Sequence, residues 1–110
     1  MNKVELLGRL VKDVEIAKSK SGNDYAKFTL AVNRKQKDAP TDFFNCIAFG
    51  KLPEIIKKYT EKGNRILIVG TIQNESYKDN EGNTKYSTSV IVEDFYFVDF
   101  KKELSNNSEV

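Results

Sequence analysis

The chain has 110 residues, 39% of them hydrophobic and 31% charged, and a formal net charge of +2. That length holds one domain with a modest core and leaves no room for a second lobe. With no His and a single Cys, Cys46, the sequence offers no intrachain disulfide, no zinc ligand set and no Cys/His nucleophile, so neither an enzyme nor a metal or cofactor is expected.

Met1-Asn2-Lys3 leads into an alternating segment rather than an apolar leader, and no apolar run approaches the ~20 residues that span a bilayer. The chain is therefore expected to stay where it is made. Val4, Leu6, Gly8 and Leu10 alternate with Lys3, Glu5, Leu7 and Arg9, which predicts a first strand. Polar residues from Lys18 to Asp24, with the turn-prone Ser21-Gly22-Asn23, separate it from a second strand whose Ala26, Phe28, Leu30 and Val32 face one way. Arg34 to Pro40 reads as an exposed basic loop with a proline stop. A third strand follows from Asp42, forming a hairpin with the second.

Pro53 suits a first helical turn, Glu54 the positive end of the helix dipole, and Gly63 a stop after Lys62. The short apolar stripe Ile55, Ile56 and Tyr59 predicts a helix that caps one end of a β-structure. Strand character resumes from Arg65 to Val69, with a bend or bulge at Gly70 before Thr71 to Asn74. Tyr77, the polar turn Lys78 to Asn83, Tyr86 and then Val90, Val92, Phe95 and Phe97 complete a second hairpin. Residues 101–110 have too little apolar content to order themselves and are expected to form a flexible tail after a domain of residues 1–100. Five strands with one helix between the third and fourth predict an all-β fold, a small closed Greek-key barrel of the oligonucleotide-binding (OB) type.

Function is carried by two patterns. Up to Arg65 there are fourteen Lys or Arg against eight Asp or Glu, and after it four against eight, so the basic excess lies in the first two-thirds of the chain. In the third strand, Phe44, Cys46 and Ala48 make a small apolar face, while Phe43, Asn45, Ile47, Phe49 and Lys51 fall on the other. An aromatic face with polar and basic neighbours suits a flat, negatively charged partner. It also suits a protein surface, and both readings stand at this point: an OB module could use Phe43 and Phe49 for a protein partner.

The sequence resembles the bacterial and phage-type single-stranded DNA-binding proteins over nearly its whole length to about Phe100. The resemblance rests on Met1-Asn2-Lys3-Val4 with Gly8-Arg9-Leu10 and Asp13, on Phe28 to Arg34, on Phe43 to Cys46 and on Phe49-Gly50-Lys51. It continues through Lys62-Gly63, Val69 to Gln73, Tyr77 and Thr88-Ser89-Val90 to Phe97; the order and spacing are specific, no single mark is. It implies a coat of single-stranded DNA with little sequence preference in DNA replication, recombination and repair, in the cytoplasm at the nucleoid. It further implies base stacking on Phe43, Phe49 and Tyr77, with Asn45, Lys51, Lys62 and Gln73 along the path of the strand. Lys18, Arg34, Lys35 and Lys37 complete the candidate phosphate contacts. The family's homotetramer would pair first strands through Lys3, Val4, Glu5 and Leu6, and pack dimers through Leu67 and Val69, whose outward direction by parity leaves two apolar residues to cover.

Departures from the family pattern temper the site. Val14 replaces the proline usual after the aspartate, Gln36 stands where some members carry a fourth stacking aromatic, and Glu75-Ser76 replace basic residues beside Tyr77. Trp is absent, so lower affinity and stronger salt sensitivity are expected. The sequence also lacks the family's acidic C-terminal tip, and partner recruitment through such a tip is not expected.

Overall fold

The computed structural model describes residues 1–101, so the expected tail beyond Lys101 lies outside the described residues. In chain order the elements are β1 (Val4–Leu10), β2 (Glu15–Lys18), β3 (Asp24–Asn33), β4 (Thr41–Phe49), α1 (Leu52–Tyr59), β5 (Arg65–Lys78) and β6 (Thr84–Phe97). β1 pairs with β5, β5 with β6, β6 with β4, β4 with β3, and β3 again with β1, so the pairings return to their starting strand. Only the β4–β6 pair is parallel. A closed circuit of five strands with one short helix between β4 and β5 is the OB fold. Two of its joints are short: β1 meets β3 at Arg9 opposite Ala31 and Leu10 opposite Leu30, and β4 meets β6 at Cys46 opposite Val90 and Ile47 opposite Ile91.

The sixth strand, β2, corrects the expected count of five. It continues along β3 where β1 leaves off, with Glu15 opposite Lys27 and Lys18 opposite Asp24. Five chain steps from Leu10 to Glu15 face only three from Leu30 to Lys27, so the ladder is broken by two extra residues. The break turns Val14 into the core, where it is 2% exposed. Exposed except at the half-buried Ile16, its one large apolar residue, β2 carries too weak an alternation to be read from the sequence.

Strand parity sorts the sheet into two faces. Phe28, Cys46, Val90 and Ile72 lie opposite one another across β3, β4, β6 and β5, and form an inner row that reaches solvent only at Ile72. One residue along, Lys27, Ile47, Ile91 and Thr71 form the outer row across the same strands. Leu10, Leu30, Ile66, Ile68 and Ile56 are the largest fully buried aliphatic side chains of the same core, and truncating any of them to Ala is expected to cost about 2–5 kcal/mol. Gly8 lets β1 cross β3 closely, since a Cβ there would lie 2.8 Å from the Ala31 carbonyl oxygen.

Helix α1 ends at Tyr59, three residues before the expected stop. Thr60 turns extended, and both its N–H (3.1 Å) and its hydroxyl (2.6 Å) donate to the Ile56 carbonyl, which satisfies the last turn. Gly63, at φ +89°, instead belongs to the turn that follows. There the Gly63 N–H donates to the Leu10 carbonyl and the Lys62 N–H to Asp13 Oδ1, fastening the turn to the end of β1.

The long β5–β6 ladder carries a bulge at the expected place but with the extra residue on the partner strand. Val69 lies opposite Asp94 and Gly70 opposite Val92, leaving Glu93 unmatched. The bulge shifts β6 parity by one, so Val90 and Val92 point inward, and after it Phe95 and Phe97 do. Gly70 is required because the Ile91 carbonyl oxygen passes 2.0 Å from where its Cβ would stand. Beyond this point β5 and β6 project as an exposed arm. Asn2 braces its base, its carboxamide Nδ2 donating to the Ile72 carbonyl (2.7 Å) and its Oδ1 accepting from the Ile72 N–H (2.9 Å).

Candidate nucleic-acid interface

β4 is nine residues of alternating character, and its outward side chains are held by a core-facing set that includes the buried Cys46 and Ala48. Burial pushes the Cys46 thiol up to about 12, so it stays protonated and inert at neutral pH. On the opposite face Phe43 is 63% and Phe49 51% exposed. Such exposure of large rings on a rigid strand gives flat platforms open to a planar partner.

Three grooves succeed one another along that face. The first, about 480 Å³, holds Phe43 with Leu7, Arg9, Ala31, Asn33 and Arg65. The middle one, about 280 Å³, is lined by Lys27, Thr29, Asn45, Ile47, Glu75, Ser87 and Ser89. The third, about 740 Å³, joins Phe49 and Lys51 to Lys18, Asp24 and Glu54. The first groove crosses the β1–β3 joint and the middle one the β4–β6 joint.

The structure thus brings Phe43, Asn45, Phe49, Lys51 and Lys18 onto one run of surface. Gln73 and Tyr77 stand on the arm with Glu75 on the same face, Gln73 opposite Ser89 and Tyr77, 55% exposed, opposite Lys85 near the tip. Lys62 is tied to the Phe43 end indirectly, since Arg9, which lines that groove, donates to the neighbouring Gly63 carbonyl at 3.0 Å. Lys35 and Lys37 are exposed in the loop between β3 and β4 and line none of the three grooves.

Two candidate phosphate cations already hold carboxylates. Arg34 makes a two-pronged pair with Asp42 (2.9 and 3.0 Å), and its hydrogen bonds hold the Asp42 carboxyl below the ordinary range. Lys18 donates to Asp24 at 2.9 Å, which raises its pKa. Both pairs are exposed, so phosphate can compete for the cations at small cost.

Sequence reading passed over four aromatics or cations at or beside this surface. Tyr25 lies opposite Phe49, with ring centroids 6.4 Å apart. Arg9 and Arg65 line the Phe43 groove, although Arg65 also pairs with Asp99 at 3.1 Å. Tyr86, 76% exposed, stands on the other side of the arm from Tyr77. Tyr25 shares odd-numbered parity with Thr29 and could have been found by counting along β3.

The candidate oligomer residues divide by direction. Val4 and Leu6 pack half-buried on the core, Glu5 is exposed and Lys3 pairs with Glu93 at 3.2 Å. What β1 offers here is its backbone edge, since its pairing with β3 is confined to Arg9 and Leu10. Leu67 and Val69 point outward as expected and are half-buried. Leu67 lies between the exposed Leu7 of β1 and Tyr96 of β6, which together make an apolar strip across three strands.

The model of the single-strand binding protein family matches residues 1–98. The chain belongs to that family. It is 48% identical over 100 residues to the single-stranded DNA-binding protein of Clostridium perfringens (strain 13 / Type A), covering 90% of this chain and 67% of that protein. Single-stranded DNA-binding protein 1 of Streptococcus pyogenes serotype M18 is 38% identical over 116 residues, covering 100% of this chain and 88% of the relative. The single-stranded DNA-binding protein of Enterococcus faecalis is 38% identical over 103 residues, covering 90% of this chain and 55% of its own length. Among the described residues no group of three or more Cys, Asp or Glu is placed to hold a metal ion, and no helix is long and apolar enough to cross a membrane.

Proposed function

We propose that this chain binds and protects single-stranded DNA with little sequence preference, serving replication, recombination and repair in the cytoplasm as a non-enzymatic coat. The observation that carries the proposal is the exposure of Phe43 and Phe49 on one rigid strand of a family member, with grooves at both rings. Stacking on these rings and on Tyr77 tolerates any base because every base has a π face. Lys51, Lys18, Arg34, Lys35, Lys37 and Lys62 supply phosphate contacts and release counterions, while Asn45 and Gln73 offer hydrogen bonds along the path. Residues 1–100 form the binding domain in this reading.

The same reading includes a homotetramer. The open backbone edge at Lys3 to Leu6 supports strand pairing between two copies, and the strip of Leu7, Leu67 and Tyr96 with Val69 supports packing of dimers. Light scattering is expected to give four times the chain mass, and a monomer at micromolar concentration overturns this part.

Binding of labelled oligothymidylate and of duplex of equal length, at two salt concentrations, tests the main proposal. Tight, salt-dependent binding to the single strand with weak duplex binding is expected. Equal affinity for the two, or none for either, refutes it and favours a protein partner for the β4 face.

A further inference from the structure

Glu75 has no evident place in a groove that receives a polyanion. Its side chain lines the middle groove opposite Ser87, beside Lys27, Thr29, Asn45 and Ser89. Neither Glu75 nor Lys27 has a hydrogen-bond or ion-pair partner among the described residues, so the carboxylate stands open to a ligand. Close by, the Thr29 hydroxyl donates to Asn45 Oδ1 at 3.2 Å. With its oxygen engaged, Asn45 offers its Nδ2 hydrogens as donors. The groove therefore combines one strong acceptor with two donors, Asn45 Nδ2 and Lys27 Nζ.

We infer that this groove reads a base edge and favours guanine, with Glu75 accepting from guanine N1–H and N2–H while Asn45 or Lys27 donates to O6. The inference rests on the single-stranded DNA reading above. Guanine alone presents two adjacent N–H donors to a carboxylate. Cytosine and adenine present one amino group each, and the single N3–H of thymine lies between two carbonyls that repel a carboxylate. In duplex DNA these edges are paired, but in a single strand they are free to be read. At about 280 Å³ the groove falls below the ~300–1,000 Å³ of pockets for drug-sized ligands, a size suited to one base. The preference is superimposed on sequence-tolerant stacking and concerns one position of the bound strand.

The test compares a short oligothymidylate with versions carrying one central dG, deoxyinosine, dA or dC, by fluorescence anisotropy at fixed salt, for the unaltered protein, Glu75→Gln and Glu75→Ala. The unaltered protein is expected to bind the dG version at least about fivefold more tightly than pure oligothymidylate. Deoxyinosine, which lacks the 2-amino group, is expected to fall between them. Both variants are expected to bind pure oligothymidylate more tightly, through loss of phosphate repulsion, while the dG preference shrinks toward unity. No dG preference in the unaltered protein, or one that survives in Glu75→Ala, overturns the inference. Failure of the unaltered protein to bind any of the oligonucleotides refutes the DNA reading itself.

Discussion

Replacing Phe43 and Phe49 by Ala separates binding from folding more cleanly than any other change at this surface. Both rings are more than half exposed, so their loss leaves no buried cavity, and stability is expected to move by less than ~1 kcal/mol. A base stacked on an aromatic ring is worth roughly 1–3 kcal/mol. The two residues are six positions apart on one strand, about 20 Å at ~3.3 Å per residue, beyond the ~7–10 Å within which substitutions couple. The losses should therefore add to about 2–6 kcal/mol, an affinity drop of about 30-fold or more. The two positions are not equivalent. The Tyr25 ring, 6.4 Å from Phe49, can take over part of its base contact, so Phe49→Ala alone belongs at the low end and Tyr25→Ala with it restores the full loss. Phe43 has no aromatic neighbour within the described residues and belongs at the high end. Anisotropy titration with oligothymidylate, paired with a urea melt, reads both quantities. Unchanged affinity in a double variant that melts normally refutes the stacking assignment.

Gly70→Ala is expected to lower the urea midpoint by an amount equivalent to about 3 kcal/mol or more, because the Ile91 carbonyl oxygen occupies the space of the new Cβ; an unchanged midpoint contradicts that geometry. Asp42→Asn frees the Arg34 guanidinium, so oligothymidylate binding at low salt should tighten and the log–log salt slope steepen by about 0.7, whereas an unchanged slope means Arg34 meets no phosphate. Hydrogen bonds from the Arg65 side chain and N–H hold Asp99 below the ordinary carboxylate range. Its folded-state value is depressed, so its contribution to stability is present above the unfolded value of about 3.9 and is lost as pH falls through the folded value. Asp99→Asn should accordingly melt below the unaltered protein at pH 7, with the gap closing toward pH 2; a gap that persists there points to a cause other than ionisation.

Much of the fold was legible because strand parity is a local property. The inward Ala26, Phe28 and Leu30 and the outward Phe43, Asn45 and Phe49 follow from counting by twos, and the structure keeps both sets. The spacing of Val90, Val92, Phe95 and Phe97 even contains the bulge, since one three-residue step interrupts a run of twos. Gly70 signals a bulge in the sequence because a glycine is visible there. That the unmatched residue is Glu93 depends on the partner register. β2 is illegible for the opposite reason: three exposed residues and one half-buried Ile16 beside a single strand leave no pattern of their own. The end of α1 is set not by the conspicuous glycine but by Thr60, whose extended backbone and hydroxyl close the helix. At the site, the rings were legible, but the occupied state of Arg34 was not. Its Asp42 partner is eight residues away across a hairpin, and only the pairing of Asn33 with Thr41 brings them together. The opening of Glu75 into the middle groove likewise needs the β4–β6 joint.

Those two short joints have a kinetic meaning. The ring consists of a β3–β4 hairpin and a β1–β5–β6 sheet, each stitched by long ladders, closed on one side by Arg9 and Leu10 and on the other by Cys46 and Ile47. The second closure joins residues more than forty positions apart in the chain, so it carries a large loop-closure entropy and belongs among the last contacts to form and the first to open. Amides at these joints should exchange with solvent faster than those in the middle of the β5–β6 ladder. A strand of DNA lying in the Phe43 groove and the middle groove would straddle both closures, holding the two halves of the ring together while it is bound.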